Sequence, residues 1–228
     1  MNLLAGVLGV IFAFRGRFDI AFILMLCASV FDFCDGLAAR LLNAYSDMGK
    51  ELDSLCDMVS FGVLPSVMLV CLMRQCTFSD SLLCYVPVTV ALASALRLAR
   101  FNIDETQHDS FAGLATPASA LICGSLCYFI VAVPGTFLSA WASDFIFIPV
   151  LSLTLSALML CRIPMFSFKI KKGEGAESTL YRKRLAFLVN LVLVAVIVVV
   201  SSLNWSMAVL LSLLVYVIMN LVFWIFKV

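Results

Sequence analysis

Eight apolar runs, at roughly 2–14, 18–38, 52–73, 82–99, 115–134, 144–161, 184–202 and 205–226, constrain this chain more than any other feature. A helix needs about 20 apolar residues to cross the hydrocarbon of a bilayer, with a range of about 17 to 25. Only helices and closed barrels cross it with every backbone group paired. The runs therefore predict an all-α, polytopic integral membrane bundle of about eight transmembrane helices. The first run is short and predicts an incomplete, tilted or partly interfacial crossing. A soluble fold fails on composition. Hydrophobic residues make up 64% of the 228 and charged ones 13%, whereas a soluble domain is about half apolar and a quarter charged.

Basic residues orient the bundle, because short cytoplasmic loops are enriched in lysine and arginine. The loop 162–184 holds seven basic and two acidic residues. If spans alternate, it lies on the same side as 40–50 and 100–114, and the C-terminus joins them in the cytoplasm. The loops 74–81, 135–143 and 202–205 fall opposite, with Arg74 alone; Arg15 and Arg17 count against the scheme and are outnumbered. The chain divides into a transmembrane core over 1–168, a basic cytoplasmic linker over 169–183 and a C-terminal hairpin over 184–228. That hairpin reads as packing and lipid contact. Lys169, Lys171, Lys172, Arg182, Lys183 and Arg184 suit anionic headgroups.

Other classes find little support. A net charge of +1 argues against nucleic-acid binding. The nine cysteines contain no C-x-x-C pair and read as small buried hydrophobes. No basic segment precedes the first apolar run, so a cleaved signal peptide is not expected. The lone His108, with Asp104, Glu105 and Asp109, reads as a solvated turn.

The exception to this apolar character is DFCDGLAARLLNAYSDMGKELDSLCD, from Asp32 to Asp57, with five aspartates, one glutamate, one arginine and one lysine. Asp32 and Asp35 are three apart and share a helix face, as do Asp53 and Asp57, four apart. A turn between them sets the two pairs facing each other across antiparallel helices. Four converging carboxylates repel one another unless hard divalent cations lie among them, and magnesium, manganese and calcium prefer oxygen ligands. Two metals held by shared carboxylates suit phosphoryl chemistry. Gly36, Gly49 and Ala39 leave room for a bulky anion, and Arg40 can contact phosphate. One aspartate pair alone would read equally well as a proton relay or an interhelical hydrogen bond. Asp47, Lys50 and Glu51 read as solvated.

This stretch resembles the signature of the CDP-alcohol phosphotransferase family, D-x-x-D-G-x-x-A-R-x8-G-x-x-x-D-x-x-x-D, and matches at every fixed position. The resemblance implies a core of six transmembrane helices around a polar cavity open to the cytoplasm, here followed by the C-terminal hairpin, and a homodimer. It implies that Asp32, Asp35 and Asp53 are metal ligands and that Asp57 is a shared ligand or the general base. The cofactor implied is Mg2+ or Mn2+, with Ca2+ as a third candidate, two ions per site. The CDP moiety would pack near Gly36, Ala39, Arg40 and Gly49.

A second stretch, ALRLARFNIDETQHDSFAGLATPASA, resembles the corresponding region of bacterial and archaeal phosphatidylserine synthases. Arg97, Arg100, Phe101, Asn102, Phe111, Gly113, Leu114, Pro117 and Ala118 match, and Ala115 replaces a usual proline. Ser60, Phe61, Gly62 and Pro65 resemble the same branch. The resemblance implies a prokaryotic inner-membrane enzyme acting on CDP-diacylglycerol and L-serine with release of CMP, among membrane lipids. Arg97 and Arg100 suit the serine carboxylate and Asn102 its orientation; the competing reading for the arginines is snorkelling at a helix end. Glycerol 3-phosphate or inositol phosphate are the alternative acceptors, and would demand more basic residues. A cation or proton transporter would need carboxylates spread through the membrane depth; here they cluster at one level.

Overall fold

The computed structural model describes residues 1–42, 46–77, 81–103, 111–165 and 204–225. These form α1 (Asn2–Phe14), α2 (Phe18–Leu41), α3 (Asp47–Asp57), a π-helical turn (Met58–Val63), α4 (Leu64–Thr77), a 3-10 turn (Leu82–Tyr85), α5 (Val88–Ile103), α6 (Thr116–Ala132), α7 (Phe137–Ala142), α8 (Phe147–Leu160) and α9 (Trp205–Ile225). Two short segments, Phe111–Ala112 and Pro164–Met165, pair antiparallel and tie the end of the α5–α6 connection to the segment after α8. Everything else of substance is helical, as the apolar runs require.

Among the described residues, four helical stretches are long and apolar enough to cross a bilayer: Phe18–Ala39, Asp47–Thr77, Leu82–Ile103 and Trp205–Val222. Asn2–Phe14, Thr116–Ala132 and Phe147–Leu160 are apolar but shorter. Each expected run within the described residues is thus a helix. The run 184–202, the linker 169–183 and the turn carrying His108 lie outside the described residues. One expected loop differs. Residues 135–143 contain α7, whose start is capped by Thr136 Oγ1 accepting from the Ser139 N–H. Phe137 and Trp141 on α7 meet edge to face, and Trp141 also meets Phe147 of α8. Amphipathic rings of this kind suit a membrane–water boundary.

The centre of the bundle is α6, which packs against α2, α4, α9 and the π turn. Ile122, Cys123, Leu126, Cys127 and Phe129 from α6 are buried with Phe18, Phe22 and Met25 from α2 and with Met68, Leu69 and Leu72 from α4. The outward faces carry Ile23, Val30, Phe33, Leu92, Val150, Leu153 and Ile218, all exposed. In water such a surface would aggregate; lipid solvates it. Four serines inside the bundle return their hydroxyls to their own helices. Ser66 donates to Gly62, Ser94 to Val90, Ser152 to Ile148 and Ser156 to Ser152, at 2.7–2.8 Å.

One glycine is required by backbone geometry where the fold turns toward α6. Gly113 has φ of 77°, and a Cβ there would meet the carbonyls of Met159 and Cys161 at 2.6 and 2.7 Å. Its N–H donates to Ile163 and the next N–H, of Leu114, donates to Leu158, which fastens the α5–α6 connection to the end of α8. That junction holds the ends of α5 and α8 beside the start of α6.

Candidate active site

The charged stretch folds as expected into the end of one helix and the start of the next. Asp32 and Asp35 lie on α2 and Asp53 on α3. Ser46, in extended backbone, caps α3 by accepting from the Gly49 N–H at 3.0 Å. A Cβ at position 49 would stand 2.9 Å from that capping oxygen, so the cap itself gives a reason for glycine. Between α2 and α3, oxygens of Asp32, Asp35 and Asp53 all come within 4.8 Å of one another. Asp32 is half-buried; Asp35 and Asp53 are exposed.

Nothing among the described residues neutralises this triad. The single ion pair there joins Arg17 to Asp19 at 2.9 Å, at the other end of α2. Two like charges about 4 Å apart repel by roughly 4 kcal/mol at an effective dielectric of about 20. Three hard oxygen donors converging without sulfur or nitrogen fit a hard divalent cation and fit zinc or copper poorly. The donor set therefore matches the expected metal type.

Asp57 stands apart from the triad. Its side chain lies against Asp32, and its Oδ1 accepts from Asn2 Nδ2 at 2.9 Å. The helix then widens at once into the π turn Met58–Val63. Such turns are rare and occur frequently at functional sites. Gly36 and Ala39 are half-buried on α2. Arg40 belongs to the last turn of α2, and its side chain lies outside the described residues.

The three residues expected at the acceptor behave differently from one another. Arg97 points inward, donating from Nη1 to Thr116 Oγ1 at 3.0 Å, while its buried Nε has no partner among the described residues. Asp57 and Tyr216 of α9 are its electrostatic neighbours. Arg100 is exposed and donates to the Leu160 carbonyl at the end of α8, at 3.3 Å. Asn102 braces α5 against α3: its amide donates to Ser54 Oγ at 3.0 Å and to Glu51 Oε2 at 3.2 Å. Lys50 Nζ donates to the Asn102 carbonyl at 2.9 Å. Lys50 and Glu51, although exposed, thus hold the helix that carries Arg97. Asn2, Thr116 and Tyr216 were not singled out from sequence. Asn2 left the one usable signal, an amide in an otherwise apolar first run.

A sequence model described as CDP-alcohol phosphatidyltransferase matches residues 1–161. The chain is similar to the CDP-diacylglycerol–serine O-phosphatidyltransferase of Bacillus subtilis, with 31% identity over 177 residues, 78% of this chain and 92% of the relative. It is similar to the enzyme of the same name from Mycobacterium leprae, with 36% identity over 175 residues, 72% of this chain and 55% of the relative. A third, from Methanocaldococcus jannaschii, shares 35% over 130 residues, 57% of this chain and 58% of the relative. The chain thus spans a little over half the length of the latter two.

Proposed function

From the premise that the chain belongs to the CDP-alcohol phosphatidyltransferase family, we propose that it transfers the phosphatidyl group of CDP-diacylglycerol to L-serine. The observation that carries this reading is the convergence of Asp32, Asp35 and Asp53 within 4.8 Å, uncompensated by any described cation. The choice of serine draws its support from the names of the three relatives and from the inward Arg97.

Asp32, Asp35 and Asp53 would hold Mg2+ or Mn2+, with Asp57 beside them as a shared ligand or base; two ions per site is the expected number. When bound, the metal neutralises the diphosphate and the charge that develops on departing CMP. Asp57 takes the proton of the serine hydroxyl. The serine oxygen forms a bond to the phosphorus that carries diacylglycerol, and the bond from that phosphorus to the bridging oxygen breaks, so CMP leaves with the electron pair. A positioned base of this kind contributes about 10²–10⁴-fold. Arg97, whose buried Nε has no partner among the described residues, receives the serine carboxylate, and Gly36, Ala39, Arg40 and Gly49 border the CDP moiety. Arg100 and Asn102 act by holding α5 in place.

The acyl chains of the donor remain in lipid while its headgroup enters from the side. The basic loops support a site that faces the cytoplasm in a prokaryotic inner membrane; the proposal further takes the core as 1–168, the linker as 169–183 and the hairpin as 184–228, in a homodimer. The test is CMP release by the purified full chain. CMP that requires CDP-diacylglycerol, serine and a divalent ion together is the expected result. Release with glycerol 3-phosphate or inositol phosphate and not with serine would reassign the acceptor. No CMP with any alcohol would overturn the reading.

A further inference from the structure

Asn2 is a polar residue at the first position of an apolar helix, yet it is 2% exposed. Its amide nitrogen donates to Asp57 Oδ1 at 2.9 Å, across 55 residues of sequence. A carboxylate only accepts, so the nitrogen must face it and the amide oxygen must face away. That oxygen is buried and has no partner among the described residues. An amide kept in such a place at the expense of its own acceptor is poorly explained by packing, since leucine has the same number of side-chain heavy atoms and no polar group to satisfy.

The surrounding backbone is built to keep Asn2 there. The Asn2 carbonyl accepts from Ser60 Oγ at 3.2 Å, inside the π turn that follows Asp57. Asn2, Ala5, Gly6, Gly9 and Ala13 form the buried stripe of α1. A Cβ on Gly6 would collide with Ser60 Oγ and stand 3.0 Å from the Ser60 Cα, and one on Gly9 would stand 2.7 Å from Leu64 Cδ2. Small residues in membrane bundles serve this close approach of helices. So α1 is joined to the Asp57 segment twice, by a side chain and by a backbone carbonyl, and is pressed onto it by glycine.

We infer that Asn2 is a positioning residue for Asp57: its amide holds Oδ1 and leaves the other carboxylate oxygen turned toward Asp32 and the triad. The inference deepens the reaction proposed above and rests on it. It also makes α1, too short for a standard span, part of the active site.

Asn2→Leu and Asn2→Asp keep the shape and remove the donor; Asn2→Gln keeps an amide donor. The measurements are kcat and KM for serine and for CDP-diacylglycerol, the melting temperature in detergent, and Mn2+ half-saturation by electron paramagnetic resonance. In the Leu and Asp variants kcat is expected to fall about 10- to 100-fold, the range typical for residues that orient a site's carboxylates. Both KM values and the melting temperature stay close to wild type, Mn2+ binding weakens about 10-fold, and the Gln variant recovers part of the activity. Wild-type kcat and Mn2+ binding in Asn2→Leu would overturn the inference. So would variants in which only the melting temperature falls, or a Gln variant no better than Leu. If wild type itself releases no CMP, the proposed reaction fails, while the Mn2+ titration still reads whether Asn2 orders the carboxylates.

Discussion

The two ends of α2 treat carboxylates in opposite ways. At its start, Asp19 lies in the first turn, where the helix dipole favours negative charge. Arg17, two residues before it, makes two hydrogen bonds to it at 2.9 and 3.0 Å. That charge is answered locally and points into solvent. Toward the other end, Asp32 and Asp35 meet Asp53 and no described cation answers them. The same residue type is an inert surface pair at one end and an unsolved electrostatic problem at the other. A group whose charge is settled within its own turn reports on local stability. One that is left unsettled and turned toward its like must take up a proton or bind a cation.

The most severe way to break this contrast is to remove a member of the triad. Asp53→Asn is expected to lower kcat on the order of 10³-fold, because a bound metal supplies several kcal/mol of charge stabilisation. Without metal, its melting temperature should equal or exceed that of wild type, since a repulsion has gone. Adding Mn2+ should raise the melting temperature of wild type and leave that of the variant unmoved. Asp57→Asn is expected to cost about 10²-fold or more in CMP release, the lower part of the range for general-base loss. Full activity in either variant would mean that the carboxylates do not form the reacting site.

The next step sharpens the contrast along α5, where two arginines three residues apart lead different lives. Arg97→Gln should raise the KM for serine about 10- to 100-fold, as expected for loss of a charge-assisted hydrogen bond of about 1.5–3 kcal/mol. The KM for CDP-diacylglycerol should hardly change. Arg100→Gln removes an exposed donor to the end of α8 and should alter neither KM beyond about threefold, near the scatter expected for surface positions. Equal effects would show that both arginines serve as anchors or both serve the acceptor.

What could be read in advance follows a physical division. Apolar runs report the mean cost of exposing a segment to water, so the apolar helices α1, α2, α4, α5, α6, α8 and α9 were legible from hydropathy. The aspartates of α2 and α3 were legible because spacing on adjacent helices fixes which side chains share a face. Contacts between distant helices were not. Asn2 and Asp57 are 55 residues apart, and one amide hardly changes the hydropathy of its run. Oxygens of Asp32, Asp35 and Asp53 converge, while Asp57 lies against Asp32 and is held by Asn2 just before the π turn. Asn102 reads as an acceptor contact by motif, and its bonds to Ser54 and Glu51, about fifty residues away, were not legible in the spacing. The short α7 hid in a loop, since its stability rests on a Thr136 cap and on aromatic contacts rather than on a long apolar run.

A smaller effect tests whether the interior between the two ends is structural alone. Gly124 on α6 faces α2, and a Cβ there would stand 2.7 Å from Phe22 Cδ2 and 3.0 Å from Met25 Sδ. Both of those side chains are fully buried, with little room to yield. Gly124→Ala should destabilise the fold by about 1–3 kcal/mol, as overpacking does, and lower the melting temperature. CMP release per folded molecule should remain that of wild type. A loss of kcat at unchanged stability would instead show that the α2–α6 packing sets the placement of Asp32.

The smallest effect is expected where the comparison began. Asp19→Asn leaves Arg17 without its partner at the exposed start of α2, where both side chains are about half exposed to solvent. Exposed pairs of this kind are screened by salt and contribute little, and asparagine still suits the first turn of a helix. At physiological ionic strength the melting temperature and CMP release should both match wild type, with a slight loss of stability appearing only at low salt. The matched experiment at the other end is Asp35→Asn, which removes one carboxylate from the same helix and should likewise hold stability, or raise it at low salt where Asp19→Asn loses a little, while activity collapses. If the two substitutions gave the same profile, the position of a carboxylate along α2 would not matter, and neutralisation by a neighbour could no longer separate its inert aspartate from its reactive ones.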